Sequence, residues 1–231
     1  MFAICPRGPR IAYDNHLFPT HVRMIISRRH RYIFVAIPKT GTHSVRQALR
    51  MHLAEDDLEQ VGLFVNRRFP FADLAAIRHG HLSLQQVRPS LAQGEFESFF
   101  KFAFVRNPFD RFVSYCAFMS RESGQFAADP AGFMKHVLFE MRPDQHILFQ
   151  PQHLLLTDAN GELLSDYVGR VEEMQASYDH VCARLGFEST SLGRVNRSQR
   201  GDYRQYYDPE LIAGVSDYYQ RDLELFGYSF D

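Results

Sequence analysis

Short apolar runs alternate with apolar residues at helical spacing along this 231-residue chain. Residues 32–37 have the sequence Tyr-Ile-Phe-Val-Ala-Ile, a β-rich run that ends at Pro38 and predicts a buried strand. After a loop at 38–43, apolar side chains recur at helical spacing as far as Leu53. The pattern therefore predicts a strand, a loop and a helix in that order.

The same order of elements returns after residue 100. Residues 101–105 form a second strand-like run, and Asn107 can cap a helix that has Pro108 at its first position and continues through Cys116. Further helices are predicted from Asp129-Pro130 to Met141, over 174–185 and from Asp208-Pro209 to Gly227. A hairpin or tight connection is predicted around Asn160-Gly161, between the apolar stretches 153–156 and 163–168.

This alternation of strands and helices predicts the fold class. It favours a single α/β domain over residues 1–231, with a mainly parallel sheet flanked by helices. Residues 1–30 form an N-terminal extension of that domain. Residues 55–100 and 186–207 lack clear periodicity, and long irregular segments in a compact domain often carry function.

Composition narrows the function classes. The chain has 26 Lys and Arg against 27 Asp and Glu, and this near-neutral balance argues against a dedicated nucleic-acid binder while allowing a local basic pocket. The three cysteines are odd in number and lack a C-x-x-C pair, which favours a reducing compartment over a disulfide framework. No apolar run resembles a signal core or approaches the ~20 residues of a membrane span. We therefore expect a soluble, cytoplasmic protein.

The first predicted loop has the residue types of an anion site. The sequence Pro-Lys-Thr-Gly-Thr-His-Ser at 38–44 lies where backbone N–H groups and the helix dipole favour an anion. Lys39 adds a positive charge, Gly41 allows close approach of a ligand, and Thr42 and Ser44 add hydroxyls. The lysine precedes the glycine, so the loop is not the nucleotide motif G-x-x-x-x-G-K-[ST]. The loop alone is equally compatible with a plain strand-to-helix turn.

A second loop strengthens the anion hypothesis. Arg106 follows the second strand, and its planar guanidinium suits a phosphate, while Ser114 lies two turns into the next helix. Two such loops at the carboxyl ends of two strands fit a ligand with separated anionic groups. Asp110 and Arg111 are predicted to be surface or structural ion-pair residues.

These two segments resemble the sulfotransferases that use 3′-phosphoadenosine 5′-phosphosulfate (PAPS). The run at 38–44 resembles their 5′-phosphosulfate loop, and Val-Arg-Asn-Pro-Phe-Asp-Arg-Phe-Val-Ser at 105–114 resembles their 3′-phosphate element. The resemblance is closest to the glycan O-sulfotransferases of the uronyl 2-O type and their small bacterial relatives. It implies a P-loop-NTPase-like sheet, PAPS as donor, adenosine 3′,5′-bisphosphate (PAP) as product, and a hydroxyl acceptor, with a glycan as the leading candidate.

The resemblance also implies residue roles. Lys39 would stabilise charge on the leaving phosphate, and Arg106 and Ser114 would bind the 3′-phosphate. The 5′-phosphate would be held by Thr40, Gly41, Thr42, His43 and Ser44. Relatives usually carry Ser or Thr at the position of His43, which puts one hydroxyl contact in doubt but keeps the backbone donor. Arg200 lies in a segment that loosely resembles the one closing over the nucleotide, and a solvated basic turn is the alternative.

The acceptor hydroxyl needs a base, and histidine is best suited near neutral pH. His79-Gly80-His81 resembles the His-Gly-His of uronyl 2-O-sulfotransferases, whose second histidine is taken as the base. We therefore assign the base to His81 and a supporting role to His79, with His43 as the rival base and ordinary loop histidines as the alternative. A third and fourth ligand at metal-site spacing are lacking, so no metal is predicted.

Two other functions are compatible with this pattern. A small-molecule or nucleoside kinase would have a similar fold, although the expected Lys-Ser ending of its loop is not evident. A non-catalytic nucleotide- or glycan-binding module would retain the anion loops without the chemistry. The basic runs at 28–31 and 67–68 are candidates for recruiting an anionic acceptor. The sequence names neither the acceptor nor the oligomeric state.

Overall fold

A computed structural model describes residues 22–61, 74, 81–193 and 201–231. Within these residues five strands form one sheet in the order β3-β1-β2-β4-β5. The strands are β1 Val22–Ser27, β2 Tyr32–Val35, β3 Leu58–Val61, β4 Phe100–Val105 and β5 Tyr167–Arg170. Strands β2, β4 and β5 pair in parallel, whereas β1 is antiparallel to both β2 and β3. The predicted single α/β domain is confirmed, with a mixed rather than mainly parallel sheet.

The two central strands are buried along their whole length. Side chains of β2 and β4 alternate between two hydrophobic clusters, one on each face of the sheet. Phe34 and Phe102 lie on one face with their ring centroids 5.3 Å apart, and Ile33 and Ala103 lie on the other. Strands covered on both faces have continuous apolar sequences, which is why these two were predictable.

Helices cover both faces of the sheet and its carboxyl end. They are α1 His43–Arg50, α2 Leu84–Val87, α3 Glu95–Ser98, α4 Pro108–Met119, α5 Gln125–Ala128, α6 Pro130–Lys135, α7 Met174–Leu185, α8 Pro209–Tyr218 and α9 Gln220–Phe226. A π-helical segment, His136–Met141, continues α6. No helix among the residues described is long and apolar enough to cross a membrane.

The predicted helix starts are confirmed by their caps. The Asn107 side chain accepts a hydrogen bond from the Phe109 N–H at 3.0 Å, and that of Asp208 accepts one from the Leu211 N–H at 2.9 Å. Helix α7 ends at Gly186, whose φ of 71° is the left-handed conformation that favours glycine. Local polar residues therefore fix the helix boundaries, as their positions in the sequence predict.

Two predicted elements differ in the structure. The segment predicted as a strand at 153–156 is a 3₁₀-helix, His153–Leu155, because the buried Asp222 carboxylate accepts hydrogen bonds from the N–H groups of Gln152 and His153. The hairpin is reduced to one antiparallel bridge between Thr157 and Leu163. The last predicted helix is divided at Tyr219 into α8 and α9.

Candidate active site

The first loop leaves β2 and makes a strained turn into α1. Lys39 has a φ of 67° and Gly41 a φ of 65°, on either side of Thr40. The left-handed region is unfavourable for a residue with a Cβ, so Lys39 holds a strained backbone. The Thr40 hydroxyl is buried and donates to the Ile37 carbonyl oxygen at 2.8 Å, which closes the turn from inside. Thr42 then precedes the first turn of α1, where backbone N–H groups have no partner within the helix.

A buried guanidinium supports this loop from below. Arg111, on α4, is 2% exposed; its Nε donates to the Pro38 carbonyl oxygen at 3.1 Å and its Nη2 to that of Leu148 at 3.1 Å. Burial lowers the pKa of Arg111, and the nearby Asp222 charge opposes that shift. The sequence predicts Arg111 to be a surface or structural ion-pair residue. It is structural and buried, and the partners of its guanidinium among the described contacts are carbonyl oxygens rather than a carboxylate.

Arg106 joins the second loop to the first. Its Nη1 donates to the Lys39 carbonyl oxygen at 3.3 Å, and its Nε donates to Asp110 at 2.7 Å. Asp110 lies one turn further along the chain and is the structural ion-pair residue that the sequence predicts. The loops after the parallel strands β2 and β4 are therefore in direct contact, as their positions in the sequence predict.

The backbone of Arg106 is held on both sides by one amide side chain. Gln152 is fully buried; its Oε1 accepts from the Arg106 N–H at 3.0 Å and its Nε2 donates to the Arg106 carbonyl oxygen at 2.9 Å. Asp222 in turn accepts from the Gln152 N–H at 2.7 Å. From the sequence, Gln152 is expected to occupy a buried hydrogen-bonding position, as it does here, whereas nothing in the sequence gives the distant Asp222 a role.

Asn107 connects the second loop to the end of the chain. Its Nδ2 donates to the Ser229 carbonyl oxygen at 2.8 Å and to the Tyr203 hydroxyl at 3.2 Å, and its N–H donates to Glu172 at 2.7 Å. Tyr203 follows closely on Arg200, which lies outside the described residues. The segment around Tyr203 is thus anchored beside Arg106. Ser114 lies two turns along α4 from Asn107 and is buried.

His81 lies at the same end of β2 as the first loop. Its Nδ1 is 2.8 Å from the carbonyl oxygen of Ala36, the residue directly after β2, and the side chain is buried. A carbonyl oxygen only accepts, so Nδ1 carries the proton and the lone pair of the neutral ring is on Nε2. His43 is the first residue of α1 and is half-buried. His79 lies outside the described residues.

The structure thus brings Lys39, Arg106 and His81 to one end of the sheet.

The basic turn at 28–31 is at the opposite end, since it precedes β2 rather than following it, and Arg28 pairs with Glu95 at 3.0 Å. The run at 67–68 is outside the described residues. Among residues that the structure does describe, no group of three or more His, Cys, Asp or Glu side chains is arranged to hold a metal ion.

Comparison with known proteins gives one match. The family model described as the sulfotransferase family matches residues 22–229, which includes both loops, His81 and the C-terminal segment. Searches of curated proteins and of solved structures found no match.

Replacing Arg111 by Lys tests the support beneath the first loop. One ammonium does not span the two carbonyl oxygens that the guanidinium reaches, so we expect a loss of about 1–3 kcal/mol in the free energy of unfolding, measured with urea. Arg184→Lys, at an exposed position on α7, is the control and should be within about 0.5 kcal/mol of wild type. Equal free energies of unfolding for the two variants would show that the two hydrogen bonds of the buried guanidinium do not stabilise the protein.

Proposed function

The chain belongs to the sulfotransferase family, and from this premise we propose that it moves a sulfuryl group from PAPS to an acceptor hydroxyl. The observation that carries the proposal is the contact between Arg106 Nη1 and the Lys39 carbonyl oxygen. It joins two anion-binding loops at the carboxyl ends of adjacent parallel strands, the edge where ligands of such sheets bind. A donor with a phosphosulfate and a separate phosphate matches two joined loops better than one phosphate group does.

The 3′-phosphate is assigned to Arg106 and Ser114. Contacts with Asp110 and with the Lys39 carbonyl engage three of the five N–H groups of the guanidinium, and the described contacts engage neither of the other two. We assign these two N–H groups to the phosphate. Asp110 fixes the plane of the guanidinium. The Gln152 side chain fixes the backbone that carries it.

The phosphosulfate is assigned to residues 39–44. The N–H groups at the start of α1 and the hydroxyls of Thr42 and Ser44 bind the 5′-phosphate, and the backbone N–H groups of Gly41 and His43 add donors. The Thr40 hydroxyl is already bonded to the Ile37 carbonyl, so Thr40 contributes through its backbone. Lys39 stabilises the negative charge that develops on the leaving phosphate.

Transfer proceeds in line. The acceptor oxygen forms a bond to sulfur as the bond between sulfur and the bridging oxygen breaks, and the electron pair of that bond remains on PAP. The hydroxyl proton goes to His81 Nε2, which carries the lone pair because Nδ1 donates to the Ala36 carbonyl oxygen. That hydrogen bond also fixes the ring against the end of β2. We assign His79 a role in supporting His81 or orienting the acceptor. We assign Arg200 to the segment that closes over the nucleotide.

The acceptor is assigned to the carbohydrates. The support is the resemblance of His79-Gly80-His81 to the base motif of uronyl 2-O-sulfotransferases, together with the position of His81 beside the phosphosulfate loop. A ring hydroxyl of a sugar is a poor nucleophile until its proton is removed, which is the task given to His81. We assign the whole activity to the single domain.

Ligand protection separates this function from that of a kinase. PAP carries both phosphates for which the loops are suited, so we expect it to raise the melting temperature, with about 2.7 kcal/mol of stabilisation at a concentration 100 times Kd. ATP with Mg²⁺, tested at the same concentration by differential scanning fluorimetry, should give no shift. Protection by ATP and not by PAP would contradict the proposal.

Substitution of the two histidines identifies the base. His81→Gln retains an amide that can donate to the Ala36 carbonyl oxygen but cannot take a proton, so we expect kcat for sulfate transfer to fall by about 10²–10⁴. The affinity for PAP, which does not depend on the base, should change less than twofold in this variant.

His43→Gln is the matched comparison. It should alter the donor KM more than kcat, since residue 43 belongs to the phosphosulfate loop. Loss of kcat in His43→Gln alone would move the base to His43, and full activity in both variants would refute a histidine base.

A further inference from the structure

The side chain of Lys39 ends on the face of an aromatic ring. Its Nζ is 4.2 Å from the centroid of Phe118, which lies on α4 one turn beyond Ser114. This distance is within the range for attraction between an ammonium and the negative face of a π-system. Phe118 is half-buried and belongs neither to the hydrophobic clusters on the two faces of the sheet nor to a third cluster, which is formed by α4, α5, α6 and α8.

The backbone of Lys39 is fixed independently of this contact. The Arg106 guanidinium holds the Lys39 carbonyl oxygen at 3.3 Å, and Arg111 holds that of Pro38 at 3.1 Å. The positive φ of Lys39 is strained for a residue with a Cβ, and glycine would adopt it without strain. With this strained backbone, the Lys39 side chain reaches along α4 to Phe118.

A second cation shares the ring. The Arg121 guanidinium carbon is 5.0 Å from the Phe118 centroid, so the two cations lie within about 9 Å of one another. Like charges at that separation repel, and the ring attracts both. Phe118 therefore contacts two positive charges at the C-terminal end of α4, and one of them, Arg121, also pairs with Glu122 at 3.7 Å.

We propose that Phe118 is a positioning residue for Lys39, which holds the ammonium in place for the transfer step. The inference rests on the proposed function of Lys39. A ring attracts an ammonium without neutralising it, whereas a carboxylate at the same place would cancel the charge that the leaving phosphate requires. Restricting a long, flexible side chain before the reaction lowers the entropy lost in the transition state.

Kinetics of Phe118→Leu and Phe118→Tyr test the inference. Leucine keeps apolar bulk without the π face, so kcat for sulfate transfer should fall about fivefold with the donor KM within twofold. Tyrosine keeps the face and should stay within about twofold of wild type. Phe139→Leu removes another partly exposed ring, on the π-helical segment, and is the control that should leave kcat unchanged. A kcat equal to wild type in Phe118→Leu would overturn the inference.

A double-mutant cycle excludes a merely structural role. If Phe118 acts through the ammonium, Phe118→Leu should have no further effect on kcat in a Lys39→Ala background. A fivefold loss that persists in that background would show that Phe118 acts through the general packing of α4, and would refute the inference. Phe118→Met is measured in the same cycle, so that one poorly folded variant does not decide the outcome.

A measurement without donor separates this inference from the proposed function. In the free protein the rate of Lys39 acetylation, followed by mass spectrometry of its peptide, should rise about fivefold in Phe118→Leu and not in Phe118→Tyr. Unchanged labelling would overturn the inference even if sulfate transfer is confirmed. A labelling change in a protein that transfers no sulfate from PAPS would instead refute the proposed function and leave the contact between Lys39 and Phe118 established.

Discussion

The buried guanidinium of Arg111 is the constraint on which the candidate site depends. A charged group in a protein interior is costly unless its donors are paired, and Arg111 pairs with the carbonyl oxygens of Pro38 and Leu148. Those two carbonyls belong to the first loop and to the segment that leads to Gln152. Arg111 on α4 therefore fixes the position of the first loop. It also fixes the segment that leads to Gln152, and Gln152 in turn holds the second loop at Arg106.

The remainder of the site is built on backbone anchors of the same kind. The Gln152 side chain bonds to both the N–H and the carbonyl oxygen of Arg106, and the Asp222 carboxylate accepts a hydrogen bond from the Gln152 N–H. Asn107, the residue after Arg106, donates a hydrogen bond to the C-terminal segment at the Ser229 carbonyl oxygen. Buried polar groups that are fully paired specify one arrangement of the chain, and these anchors fix the backbone that carries the side chains of Lys39 and Arg106.

The predictable part of the molecule is local in origin. Strands β2 and β4 have continuous apolar sequences because both faces are buried, and the helix that follows each strand begins at a recognisable loop. Strands β1 and β3 are not predicted, and β1 falls within residues 1–30, the segment that the sequence predicts to be an N-terminal extension. β1 lies inside the sheet, between β2 and β3, but its apolar run from Met24 to Ile26 is short, and the edge strand β3 carries Glu59. The segment at 153–156 is misassigned because a carboxylate about 70 residues away along the chain caps it.

The candidate site divides in the same way. Lys39, Arg106 and His81 follow from motifs and from a family resemblance, and the structure places them at one end of the sheet. The sequence predicts burial for Gln152 but not its partner, and the roles of Arg111, Gln152 and Phe118 depend on tertiary contacts between distant segments. An arginine is ordinarily exposed, so its burial is not expected from the sequence. Phe118 gives least signal of all, since a phenylalanine on a helix is ordinarily a core residue.

The central claim is that two joined loops bind two separate phosphates of one ligand. Calorimetric titration with PAP and with adenosine 5′-monophosphate tests this claim most directly. Wild type should bind PAP about 10–100 times more tightly than the monophosphate, because only PAP offers a 3′-phosphate to Arg106. Arg106→Ala should abolish most of that preference and weaken the monophosphate much less than PAP, because for the monophosphate only the contact with the Lys39 carbonyl oxygen is lost. Equal weakening of both ligands by Arg106→Ala, or equal binding of both by wild type, would contradict the account.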